Sequence, residues 1–163
     1  MELGGSYFRA PCESGGMQAV IFSGIPASGK SLYYRRHFAT SHVRINLDTL
    51  GTRRLEAALL EECLQGRRPF VVDNTNPTPA DRRRYLEPAM EAGFTVAGYY
   101  FMSTPRASIA RSLARTGPDV VPPWAVHRSY KKIQPPGASE GFHELTVVRL
   151  MPDGTFSTVR IHP

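Results

Sequence analysis

Two hydrophobic rhythms alternate along the chain. QAVIFSG at 18–24, PFVVD at 69–73 and FTVAGYYFM at 94–102 are short, nearly continuous apolar runs, the pattern of strands buried on both faces. HVRIN at 42–46 is a shorter run of the same kind. The segments between them space their apolar residues at helical intervals. They predict helices over KSLYYRRHFA (30–39), TRRLEAALLEECLQG (52–66), PADRRRYLEPAMEAG (79–93), STPRASIARSLART (103–116) and PPWAVHRSYKKI (122–133). Gly66 and Gly93 suit helix C-caps and Pro79 a first turn, while Pro88 predicts a kink or an earlier end. After the turn-rich QPPGASEG, two alternating runs flank Asp153-Gly154, a hairpin signal.

Strand–helix alternation implies a three-layer α/β domain with a mostly parallel sheet, closed by a C-terminal β-hairpin. Residues 1–16 carry four glycines and no periodicity, and read as a flexible N-terminal extension ahead of one domain at 17–163. With 163 residues, 41% hydrophobic and 21% charged, the chain is long and apolar enough for one sizeable core. No run is long enough for a membrane span and the first residues lack a signal-peptide core, so a cytoplasmic protein without a membrane partner is expected. Cys12 and Cys63 fit no metal spacing and read as reduced thiols; the five histidines show no ligand spacing either. A net charge of +6, carried largely by seventeen arginines, is compatible with a phosphate-rich partner, although arginines also coat ordinary helices.

The chemistry starts at Gly24-Ile25-Pro26-Ala27-Ser28-Gly29-Lys30-Ser31, which matches G-x-x-x-x-G-K-[ST] between a predicted strand and a predicted helix. Such a loop curls so that its N–H groups face phosphate oxygens. Lys30 then supplies charge to the β- and γ-phosphates, and Ser31 a hydroxyl for Mg²⁺. ATP and Mg²⁺ are the expected cofactors.

Asp48 follows the second strand, at the sheet edge where α/β domains bind ligands. There it is either the carboxylate that accepts a hydroxyl proton or an N-cap for the next helix, in competition with Thr49 and Thr52. Asp73 ends the third strand, suited to Mg²⁺ or to turn chemistry, and Asn74, Thr75 and Asn76 extend the same edge. Arg111 and Arg115 sit at i and i+4, either as a pair closing over phosphates or as cations placed at a helix C-terminus. MPDGT at 151–155 has the look of a phosphatase nucleophile motif, but Met151 and Pro152 stand where the aspartate is needed, so it reads as a turn.

Together these segments resemble the 5′-hydroxyl polynucleotide kinase domain of bacteriophage and animal end-healing enzymes, over about residues 18–148. The carriers are GIPASGKS, INLD, VVDNTNPTPADRRRY, RSLARTGPDVVP and YKKIQPPGASEGFHEL. The resemblance implies a P-loop NTPase-type fold with a helical lid. It puts Asp48 in the general-base role and Arg115, with Arg111 as partner, on the phosphates. It also implies transfer of the ATP γ-phosphate to a 5′-OH end of DNA or RNA, and a kinase without the phosphatase domain. Lys30, Asp48 and Arg115 are the expected catalytic residues. Asp48, Asp73, Asn74, Thr75 and Asn76 are expected on the acceptor side, and Ser31 and Asp73 at the metal. One departure stands out: Gly51 replaces the arginine that holds an acceptor phosphate, which leaves Arg53 or Arg54 as substitutes. No obligate protein partner is expected. A kinase of small hydroxyl compounds and a nucleotide-binding regulatory module remain as alternatives.

Overall fold

The computed structural model describes residues 16–161, so the expected extension over 1–16, Cys12 included, lies outside the described residues except for Gly16. Strand β1 (Gln18–Gly24) sends Ala19 and Ile21 to one face of the sheet and Val20 and Phe22 to the other, all of them buried. The same division in β3 (Phe70–Val72), β4 (Thr95–Phe101) and β5 (Glu144–Leu150) builds one core on each face, and β2 (Val43–Ile45) adds Val43 and Ile45 to the first. Helices α3 (Arg53–Gln65) and α4 (Pro79–Glu91) cover the first face through Leu60, Cys63, Tyr85, Leu86 and Ala89. Helix α1 (Lys30–His37) covers the second through Tyr33, within an aromatic cluster of Phe22, Phe38, Tyr99 and Phe101. Burying each of these rings contributes about 2 kcal/mol.

The sheet order is β2-β3-β1-β4-β5-β6, with every pair parallel except the hairpin between β5 and β6 (Phe156–Ile161). This is the predicted three-layer α/β architecture with its antiparallel C-terminal hairpin. Helices α5 (Pro105–Leu113) and α6 (Pro123–Lys132) pack on one another after β4. No helix among the described residues is long and apolar enough to cross a membrane.

Two local expectations change. Helix α4 does not stop before Pro88: Thr78 and Asp81 form a reciprocal capping box at its start, and buried Tyr85, Leu86 and Ala89 hold the segment against the core through Glu91. A four-residue helix, α2 (Leu47–Leu50), intervenes between β2 and α3. Asn46 caps α2 and Thr52 caps α3, so Asp48 does not serve as an N-cap. Asp48 lies instead in the first turn of α2, carried beyond the end of β2.

Candidate active site

The phosphate loop leaves the C-terminal end of β1 and feeds directly into α1. Gly24 accepts no side chain, because a Cβ there would sit 2.9 Å from both the Phe101 Cβ and the Ser28 hydroxyl. Gly29 adopts φ 102°, the left-handed region, immediately before Lys30 opens α1. Pro26, Ala27, Gly29, Lys30 and Ser31 line a cavity of about 750 Å³, while Gly24, Ile25 and Ser28 are buried behind it.

Lys30 folds back on its own loop, donating to the carbonyls of Gly24 at 2.9 Å and Ile25 at 2.8 Å. Burial pushes its ammonium down to about 8; the nearby charges of Asp73 and Asp48 oppose that shift and Arg115 adds to it. Ser31 Oγ donates to Asp73 Oδ2 at 2.9 Å, bringing the hydroxyl from α1 and the carboxylate from the end of β3 together. Two hard oxygen donors this close, beside a phosphate loop, fit the ligand preference of Mg²⁺.

Arg44 of β2, which the sequence reading did not single out, occupies the same pair. It donates from Nε and Nη2 to Asp73 Oδ2, at 2.8 and 2.6 Å, and from Nη2 to Ser31 Oγ at 2.9 Å. Its only sequence signal is a charge between two apolar residues of a short strand. Asp73 is almost wholly buried, whereas the Arg44 side chain is about a third exposed.

A second, smaller cavity of about 140 Å³ adjoins the first. Asp48, Asn74 and Thr75 line both, so they form the seam between them. Asp48 makes no hydrogen bond or ion pair among the described residues, leaving its carboxylate free at that seam. The smaller cavity also holds Arg53 and Arg84. Arg84, the third arginine of the triplet 82–84, is exposed there without a carboxylate partner among the described residues; helical spacing puts it one position before core Tyr85. Arg54 lines neither cavity.

The remaining residues of the DNTN stretch hold the frame. Asn74 Oδ1 accepts the Leu47 N–H at 2.9 Å, which ties β3 to the start of α2 one residue before Asp48. Its Nδ2 donates to Glu56 Oε1 at 2.6 Å, and that oxygen also accepts the Tyr85 hydroxyl at 2.9 Å. Arg53 donates to the other oxygen of Glu56 at 2.7 Å. Asn76 donates to the Phe22 carbonyl, and its own carbonyl accepts from Ser23 and from Arg82. Neither Glu56 nor Tyr85 is legible as a site residue in sequence, because each sits at an ordinary core position of its helix.

Arg111 and Arg115 diverge. Arg111 donates from Nε to the Ala27 carbonyl at 2.7 Å and from Nη2 to the Ser103 hydroxyl at 2.6 Å. Burial and the adjacent Arg115 charge hold its guanidinium below its usual range. Arg115 is exposed beyond the end of α5, with one long contact to the Asp119 carbonyl, and lines the large cavity.

The chain is 28% identical over 131 residues to the bifunctional polynucleotide phosphatase/kinase of Schizosaccharomyces pombe, a match covering 77% of this chain but 32% of that protein. It therefore spans about a third of the length of that relative. A gluconokinase from Sinorhizobium meliloti 1021 shares the fold with a TM-score of 0.60 and 18% identity, covering 81% of this chain and 82% of the other. Kti12 of Chaetomium thermophilum, solved in complex with ADP-AlF3, shares it with a TM-score of 0.65 and 14% identity, covering 80% and 88%. A family described as AAA domain is matched over residues 20–136. With a kinase-like phosphate loop on a parallel three-layer sheet, the chain belongs to that AAA-domain family.

Proposed function

We propose that the protein is an ATP-dependent kinase that transfers the γ-phosphate to a 5′-hydroxyl end of DNA or RNA. The observation that carries this reading is the Asp48 carboxylate, without a hydrogen bond or ion pair among the described residues, at the seam of the two cavities, with the phosphate loop on one side and Arg53 and Arg84 on the other. The S. pombe phosphatase/kinase relative supports the choice of acceptor.

In this reaction the acceptor hydroxyl oxygen bonds to the γ-phosphorus while its proton passes to Asp48. The bond to the bridging oxygen breaks and ADP leaves with the electron pair. Lys30 exchanges its loop carbonyls for phosphate oxygens, and Arg115 faces the charge that develops on the transferring group. Arg111 fixes the loop from the wall of the same cavity. Ser31 and Asp73 would hold Mg²⁺, which neutralises phosphate charge when bound. Arg53 and Arg84 supply cations on the acceptor side, where Gly51 offers none. Asn74 and Thr75 form the wall between donor and acceptor, and Asn76 fixes the backbone behind them.

The direct test incubates γ-labelled ATP with a 5′-OH oligonucleotide. Wild type is expected to label the end, and Asp48→Ala to lower the rate by at least a hundredfold. Absence of end-labelling above that control rejects the polynucleotide acceptor. The small volume of the acceptor cavity favours, as a second reading, a compact hydroxyl compound. Oligonucleotide binding that weakens steeply with salt separates the two, since only a polyanion releases counterions.

A further inference from the structure

The Arg44 guanidinium occupies the oxygen pair that a divalent cation needs. Asp73 Oδ2 accepts three donors, from Ser31 Oγ and from Nε and Nη2 of Arg44, while Arg44 Nη2 also reaches the Ser31 hydroxyl. A small divalent cation demands a compact shell of oxygen ligands, and lone pairs committed to N–H donors do not serve it as well. The guanidinium and the cation are therefore alternatives. Arg44 is suited to being exchanged. Its partner carboxylate is buried, but its own side chain is partly exposed at the wall of the large cavity, and its guanidinium carbon lies 5.6 Å from the centre of the Tyr34 ring. The aromatic face already neighbours the guanidinium in the gripped state, so a favourable contact for its charge remains when the grip on Asp73 is released.

We propose that Arg44 is an internal counter-cation for the Ser31–Asp73 pair and sets the order of loading. In the nucleotide-free protein it neutralises Asp73 and excludes divalent cations. Phosphates brought by a nucleotide add the negative charge that lets a cation displace it. The cation then arrives with the nucleotide rather than before it. Arg44 is a positioning residue in this scheme, acting through Asp73 and Ser31, and the inference rests on reading that pair as the cation site.

Mn²⁺ titration of the nucleotide-free protein, followed by electron paramagnetic resonance, tests this without any turnover. Arg44→Gln is expected to bind Mn²⁺ at least fivefold tighter than wild type, and Arg44→Lys, which lacks the second nitrogen that Arg44 puts on Asp73 Oδ2, at least twofold tighter. Asp73→Asn in the Arg44→Gln background should abolish the gain. Affinities within twofold of wild type for Arg44→Gln, or unchanged for Arg44→Lys should Arg44→Gln not fold, overturn the proposal. A gain that survives Asp73→Asn rejects the cation-site reading itself. A second readout follows the Arg44 Nε–H resonance in wild type. It should stay protected with nucleotide in EDTA and lose protection when Mg²⁺ is added with nucleotide; persistence in both conditions overturns the exchange.

Discussion

Arg111 donates its Nε–H to the Ala27 carbonyl at 2.7 Å, tying α5 to the phosphate loop across 84 positions of sequence. Ala27 is a non-glycine residue at φ 58°, so the loop conformation it adopts is held rather than intrinsically preferred. Both arginines of the i, i+4 pair line the large cavity, but Arg111 is tied to the loop whereas Arg115 has only one long side-chain contact among the described residues.

Replacing Arg111 by alanine removes its charged hydrogen bonds to the Ala27 carbonyl and the Ser103 hydroxyl and should cost about 2 kcal/mol, lowering Tm by about 4–8 °C for a chain of this size. Nucleotide affinity should fall about tenfold as the loop loosens. Arg115→Ala should leave Tm unchanged and slow phosphoryl transfer more than tenfold. Thermal unfolding and nucleotide titration of both variants check the contrast.

Lys30 makes stability and nucleotide affinity depend on pH in opposite directions. Its folded-state pKa of about 8 lies below the ordinary lysine value of 10.5, because burial disfavours the charge. Between those values the unfolded chain holds the proton that the folded chain has released, so this group's contribution to stability rises with pH in that window. Nucleotide binding runs the other way, because phosphate needs the charged form. Affinity should be steady below pH 8 and fall up to about tenfold per unit above it. Lys30→Arg should remove that fall, and calorimetric Kd values from pH 7 to 9.5 test it.

Glu56 is a buried carboxylate that accepts from Asn74, Tyr85 and Arg53. Glu56→Gln turns an amide donor toward one of those donors and should destabilise the fold by about 2 kcal/mol. Through Asn74 and the Leu47 N–H it should also loosen α2, lowering the transfer rate several-fold while nucleotide affinity stays within twofold. Urea unfolding with paired kinetic and binding measurements separates these effects.

Arg82 is fully buried and grips Glu140 through two hydrogen bonds, Nε to Oε2 at 2.8 Å and Nη2 to Oε1 at 2.6 Å. Glu140→Ala leaves that cation unpaired in the interior and should cost about 3–5 kcal/mol. Arg82→Met combined with Glu140→Leu should recover a large part of the loss, because no buried charge remains. A double-mutant cycle in urea should report a coupling of about 2 kcal/mol or more.

The phosphate loop was readable from sequence because its requirements are local: glycine at the tight approaches, and lysine and serine at fixed offsets inside a strand–loop–helix unit. The strand and helix order was readable for the same reason, since burial on two faces imprints the apolar runs of β1, β3 and β4. The continuation of α4 through Pro88 was only partly readable: helical spacing ran on to Gly93 while Pro88 argued for a kink or an earlier end, and core contacts of Tyr85, Leu86 and Ala89 rule out the earlier end. Helix α2 was missed: four residues are too few to show a period, and its start is fixed by Asn46 and by the distant Asn74.

The sequence by itself determined the architecture, the donor loop and the candidate acids and cations near the sheet edge. Only the tertiary structure decided how they are used. It put Arg44 on Asp73, Arg111 on Ala27 and Glu56 behind Asn74, and left Asp48 and Arg84 without a side-chain hydrogen bond or ion pair among the described residues. The reason is physical. A side chain's spacing along the chain sets which face it occupies, but its charge state, its partner and its freedom depend on neighbours brought from tens of residues away.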